Sequence, residues 1–97
     1  MNVLKITKKD LDENNYYKED GIDFDGALVL EAGLGTVNFK ESINVTKYIQ
    51  AYTETGIEAG YDIKAGESIK AGNGIEAGWG IKAGYGIEAG WGIKAGT

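Results

Sequence analysis

A chain of 97 residues is enough for one domain with a small core, and 15 acidic residues against 10 lysines give it a formal charge of −5, which favours basic partners over nucleic-acid phosphates. It has no Cys and no His, which excludes disulfides, thiol nucleophiles, zinc sites of the usual ligand type and histidine general bases. No stretch approaches the ~20 apolar residues of a membrane span, and the opening MNVLKITKKDLDENN turns polar too soon for a signal peptide, so a cytoplasmic protein is expected.

Residues 1–26 differ in pattern from the rest and are expected to form a small N-terminal α/β cap. Val3-Leu4-Lys5-Ile6 suits a strand, and Thr7 followed three residues later by Asp10 is a helix-start signal for KKDLDENNYY. The run Asp20-Gly-Ile-Asp23-Phe-Asp25-Gly26 has the acid spacing of a calcium loop. Gly21 holds the first ligand position, however, and Ala32 stands where the terminal Glu belongs, so an acid-rich turn is the better reading. Residues 27–97 are expected to be a β-solenoid, with Leu28-Val29-Leu30 as its first full strand.

Next come Val37-Asn-Phe39, Ile43-Asn-Val45 and Ile49-Gln-Ala51, spaced by six, before two extra residues shift the frame ahead of Ile57. Their inner positions are larger than those further on, which predicts wider starting coils that taper. Asn44-Val-Thr46 is a glycosylation sequon only for a secreted protein.

From Gly56 the chain is a strict six-residue repeat: GIEAGY, DIKAGE, SIKAGN, GIEAGW, GIKAGY, GIEAGW, GIKAGT. Each copy places Ile and, two residues on, Ala, and the period-two alternation of a strand puts both on one face. The residue between them is Glu58, Lys64, Lys70, Glu76, Lys82, Glu88 or Lys94, which the same alternation sends to the wet face. Gly-x-Gly or a close variant follows and predicts a corner, with glycine expected to supply a positive φ. One such unit cannot bury its own Ile and Ala. Parallel stacking of coils places Ile over Ile and closes a narrow core.

A triangular coil of 18 residues would set Lys64 on Lys82 and Lys70 on Glu88, whereas a flattened coil of 12 would set Glu76 on Glu88 and Lys82 on Lys94. Neither gives consistent ion pairs. Successive hexads alternate in sign at all steps but Lys64 to Lys70, so an antiparallel meander with cross-strand pairs stands as the alternative. Disorder is disfavoured by the strict apolar period.

The hexads resemble those of the hexapeptide-repeat, or parallel β-helix, family over roughly residues 37–97, with Ile57, Ile63, Ile69, Ile75, Ile81, Ile87 and Ile93 on its aliphatic position. The resemblance implies stacked coils. Many members are acyltransferases with a histidine base, and this chain has no histidine to take that role. Gly78-Trp-Gly80-Ile-Lys-Ala83 matches a dinucleotide fingerprint in form alone, since it recurs with the repeat and no helix follows.

Tyr61, Trp79, Tyr85 and Trp91 fall at corners, where rigidly held aromatics make good partner anchors. The plainer alternative is that they pack on one another or fill a dimer contact. With the acids Asp20, Asp23 and Asp25 they form the expected partner-binding set, and no catalytic, cofactor or metal residues are expected. The most regular hexads carry no polar closing segment, which predicts a homodimer through the C-terminal coils.

The expected function is a non-enzymatic protein-binding module for a basic protein partner, without direct nucleic-acid or membrane contact. In size and charge it is similar to small phage inhibitors of host defence, anti-CRISPR proteins among them, whose targets are nucleic-acid-handling proteins. The alternative is a structural, self-associating scaffold. An enzyme would have to work with carboxylates and lysines alone, and no paired set of them stands out.

Overall fold

The computed structural model describes residues 2–96. Its strands in chain order are Val3–Ile6 (β1), Ile22–Phe24 (β2), Ala27–Leu30 (β3), Gly35–Phe39 (β4), Ile43–Val45 (β5), Ile49–Ala51 (β6) and Thr55–Ala59 (β7), then Asp62–Ala65 (β8), Ile69–Ala71 (β9), Ile75–Ala77 (β10), Gly80–Ala83 (β11), Ile87–Ala89 (β12) and Ile93–Ala95 (β13). They form three sheets, ordered β1-β3-β6-β9-β12, β4-β7-β10-β13 and β2-β5-β8-β11, so consecutive strands go to different sheets and, from β2 on, every third strand returns to the same one. All the ladders are parallel, which removes the antiparallel meander. The protein is an all-β parallel solenoid with three sides.

Coil length follows from the register. Val3 pairs with Ala27 and Leu28 with Ile49, steps of 24 and 21 residues, and Ile49 pairs with Ile69, a step of 20. Ile57 pairs with Ile75 and Ile75 with Ile93, each a step of 18. The expected taper is present, and the regular coils are the triangular kind. Lys64 therefore stacks on Lys82, Glu58 on Glu76, and Lys70 on Glu88.

The residues added in the wider coils are stacked corner on corner. Thr53 and Glu54 extend one corner over the Glu31–Leu34 corner beneath, with Gly33 N–H donating to Thr53 O at 2.8 Å and Gly35 N–H to Glu54 O at 2.9 Å. Gly33 and Gly35 have φ of 77° and 74°, so here glycine is used for its left-handed freedom. Thr55 ties the two corners: its hydroxyl donates to Glu31 O at 2.6 Å and accepts from Leu34 N–H at 3.1 Å. It is fully buried, and these bonds satisfy it.

The expectation that every corner glycine has a positive φ is overturned. Among the described residues only Gly26, Gly33 and Gly35 do, and none of these lies in the hexad array. The glycine after each Ala serves close approach instead. A methyl group at Gly78, Gly84 or Gly90 would run into the carbonyl oxygen of Gly60, Gly66 or Gly72 in the coil before it. Glycine there lets successive corners stack backbone on backbone. Gly86 and Gly92, one residue before Ile, have nothing within 4 Å of such a methyl.

The core is a column of inward side chains: Leu28, Leu30, Val37 and Phe39 in the wide coils, then the Ile and Ala of each hexad. The charged residues between them are exposed throughout. Removing each Ile from water contributes about 1.5–3 kcal/mol, offsetting the cost of ordering so many short strands.

At the N-terminus β1 forms as expected, but the expected helix is a single 3-10 turn, Lys8–Asp10. The Thr7–Asp10 capping box is made, with Thr7 N–H donating to Asp10 Oδ2 at 2.8 Å. No apolar stripe at helical spacing follows it, and Leu11 leaves the turn with an extended backbone and is buried in the core cluster. Because β1 and β2 belong to the solenoid sheets, those sheets run on both sides of residue 26.

Candidate functional site

The 18-residue coil decides which corner residues are neighbours. Counting two residues back from the inward aliphatic residue of β2, β5, β8 and β11, that is from Ile22, Ile43, Ile63 and Ile81, gives Asp20, Glu41, Tyr61 and Trp79. These four make one column along the edge between two sheets. Backbone bonds hold its ends: Glu41 N–H donates to Asp20 O at 3.0 Å, and Trp79 N–H to Tyr61 O at 2.9 Å. The Tyr61 and Trp79 rings lie against each other with centroids 4.7 Å apart and planes inclined by 44°. Both remain open to solvent, Tyr61 at 44% and Trp79 at 65%.

The rings point outward because their backbone positions give them no inward choice. The inside of each coil is filled by Ile and Ala, and the corner side chain lies between two sheet directions. Stacked backbones set the column step near 4.8 Å, so an aromatic pair forms wherever two aromatic corners follow at the coil period. Asp62, next to Tyr61, is half-buried, and its N–H donates to Ser42 Oγ at 3.1 Å. It adds a third carboxylate to this edge.

The other expected residues are dispersed. Tyr85 lies on a second edge, above Glu67 and Lys47, joined by the backbone bonds Tyr85 N–H to Glu67 O and Glu67 N–H to Lys47 O. Trp91 lies on the third edge, above Asn73 and Thr55, through Trp91 N–H to Asn73 O and Asn73 N–H to Thr55 O. Each is 83% exposed, more open than the Tyr61–Trp79 pair. Asp23 is exposed on the outer face of β2, in line with Asn44, Lys64 and Lys82. Asp25 stands at the following corner, where it accepts a hydrogen bond from Thr46 Oγ1 at 2.8 Å. Asp20 is thus the one expected acid in the aromatic column.

Glu41 and Asp62 were not among the residues singled out from sequence. Their signal is the coil period: 41, 61 and 79 share an offset only once steps of 20 and 18 are known. Among the described residues no group of three or more His, Cys, Asp or Glu is placed to hold a metal ion, and no helix is long and apolar enough to cross a membrane. Compared with protein-family models, curated proteins and solved structures, the chain matches none.

Proposed function

We propose that the protein is a non-enzymatic binding module that presents the Asp20–Glu41–Tyr61–Trp79 edge to a basic surface of a partner protein. The observation that carries this reading is the continuity of two exposed carboxylates with two exposed, mutually stacked aromatic rings on one rigid edge. Carboxylates take Arg or Lys by charge-assisted hydrogen bonds, and the indole and phenol faces take the same cations by cation–π contact. A stacked backbone holds all four in place before binding, so little ordering entropy is lost.

A basic strip of this kind is what a nucleic-acid-handling protein offers its substrate. A column of acids and flat rings competes for such a strip, which fits an inhibitor of the anti-CRISPR sort by size, charge and surface chemistry. The negative charge of the chain supports fast encounter with that partner and a steep dependence on salt.

The test is a tagged pull-down from host lysate with three proteins: the parent chain, Tyr61→Ala/Trp79→Ala and Asp20→Asn/Glu41→Gln. A basic nucleic-acid-binding protein held by the parent, lost by both variants and displaced by added DNA supports the proposal. Equal capture by parent and variants places binding elsewhere and overturns it.

A further inference from the structure

The parallel register stacks like charge on like charge along the sheet of β4, β7, β10 and β13. Its outer row reads Asn38, Glu58, Glu76 and Lys94, and the three charged residues are exposed. Backbones in such a ladder are about 4.8 Å apart, so the Glu58 and Glu76 carboxylates are close neighbours. Like charges facing each other oppose the pairing, and a cation held between the two carboxylates relieves this. Lys94 stands beside Glu76 in the row, whereas the row neighbours of Glu58 are Asn38 and Glu76. Because β7 and β10 are the two inner strands of their sheet, the pair lies on the side of the stack and not at an end.

This face has aromatic residues along both margins. Tyr61 and Trp79 follow Glu58 and Glu76 by three residues, on the edge described above. Trp91 stands over Asn73, which precedes Glu76 by three residues, and so marks the opposite edge. Between Trp91 and the two carboxylates runs a groove of about 380 Å³, lined also by Asn73 and Lys94. Two acids against one lysine leave it negative. A second groove, of about 250 Å³, reaches Glu58 beside Tyr16 and Asn38, but there Lys40 balances the single acid. Charge therefore singles out the groove at Trp91 for a cation.

We propose that this groove binds an arginine side chain of the protein partner. A guanidinium is a planar cation with five donors in a fixed fork, so it can bond Glu58 and Glu76 together while its face lies on the Trp91 indole. The Asn73 side-chain carbonyl adds a neutral acceptor in the same wall. A lysine ammonium is a compact, strongly hydrated point charge, which gains the Coulomb attraction without the planar contact. Such a site rests on the reading of the chain as a module for a basic partner. It widens the footprint from the Tyr61–Trp79 edge, across the glutamate row, to Trp91.

The test uses the two tryptophans of the chain, one at each edge of this face, whose indole N–H signals in a proton–nitrogen NMR spectrum report the two surfaces separately. The full chain is titrated with hexa-arginine and with hexa-lysine, the signals being assigned through Trp79→Phe. Hexa-arginine should shift the Trp91 signal saturably and bind there about tenfold more tightly than hexa-lysine. Glu58→Gln/Glu76→Gln, at two exposed positions, should weaken that response about tenfold or more while the circular dichroism of the fold is kept. A Trp91 signal that does not move overturns the proposal. So does an equal affinity for the two peptides, or a response undiminished in the double variant. A shift at Trp91 with none at Trp79 supports the groove and counts against the Tyr61–Trp79 edge, whereas a shift at Trp79 alone overturns the groove and leaves the edge standing.

Discussion

Ile93 lies directly over Ile75 in the ladder of β13 on β10, yet Ile75 is 1% exposed and Ile93 48%. The residues, the strand type and the neighbour beneath are the same. What differs is the coil above, which Ile75 has and Ile93 lacks among the described residues. In a solenoid a residue's energetic weight is thus set by its height in the stack, since each repeat is stabilised by its two neighbours.

Ile63→Ala should therefore be costly and Ile93→Ala mild. Ile63 is wholly buried, and its truncation removes apolar contact and leaves a cavity between two coils, for a loss of about 2–5 kcal/mol. Urea unfolding of the two variants measures the difference. Similar losses in both would show that height in the stack does not set the cost.

The two glycines that flank Trp91 should respond oppositely to alanine. Gly90→Ala drives a methyl group into the Gly72 carbonyl and should destabilise by about 1–3 kcal/mol, since backbone cannot move aside as a side chain can. At Gly92 the methyl has open space and φ is outside the left-handed range, so Gly92→Ala should be neutral or add about 0.4–1 kcal/mol by restricting the unfolded chain. Thermal melts of the pair check this.

Thr55→Val keeps the shape of the side chain and removes both bonds of its hydroxyl. Glu31 O and Leu34 N–H then lose their partner at the widened corner, at a cost of about 1–3 kcal/mol. Thr55→Ser should restore most of it. The measurement is chemical denaturation of all three proteins, with amide exchange at Leu34 reporting the local bond.

Stability should fall at alkaline pH through Tyr17. Burial, then the carboxylates of Glu19 and Asp10, raise its phenol above the ordinary 10.0, and its ring packs on Phe39 with centroids 5.4 Å apart. The folded state holds the phenolic proton more tightly than the unfolded state does. The stabilising contribution is thus complete below pH 10 and is lost as pH rises through the folded-state value. Tyr17→Phe should flatten that part of the pH–stability curve, as followed by melting temperature between neutral pH and the alkaline limit.

The sequence by itself did not show β2, because Asp20–Gly26 reads as an acid-rich turn and yet Ile22–Phe24 is a strand. It determined β1, the strands from β3 on, their inward residues, the charged outer rows and the taper of the coils. These follow from local alternation and side-chain size, which the chain states directly at Ile57-Glu58-Ala59 and at each later hexad. The helix expected after Thr7 failed because a cap signal starts a helix but only an apolar stripe sustains one, and KKDLDENNYY lacks that stripe. The role of the corner glycines was also beyond local reading, since the carbonyl that Gly90 must clear belongs to Gly72, in another coil.

The tertiary structure alone decided the coil length, and with it the composition of every edge. Each hexad offers its neighbours the same Ile and Ala, so stacking at 12 or at 18 residues buries the same side chains and the sequence is degenerate between them. Closing three sheets around the core lifts that degeneracy. It places Trp79 on Tyr61 and carries Tyr85 and Trp91 to the other two edges, because adjacency in a solenoid is set by one full turn of the chain.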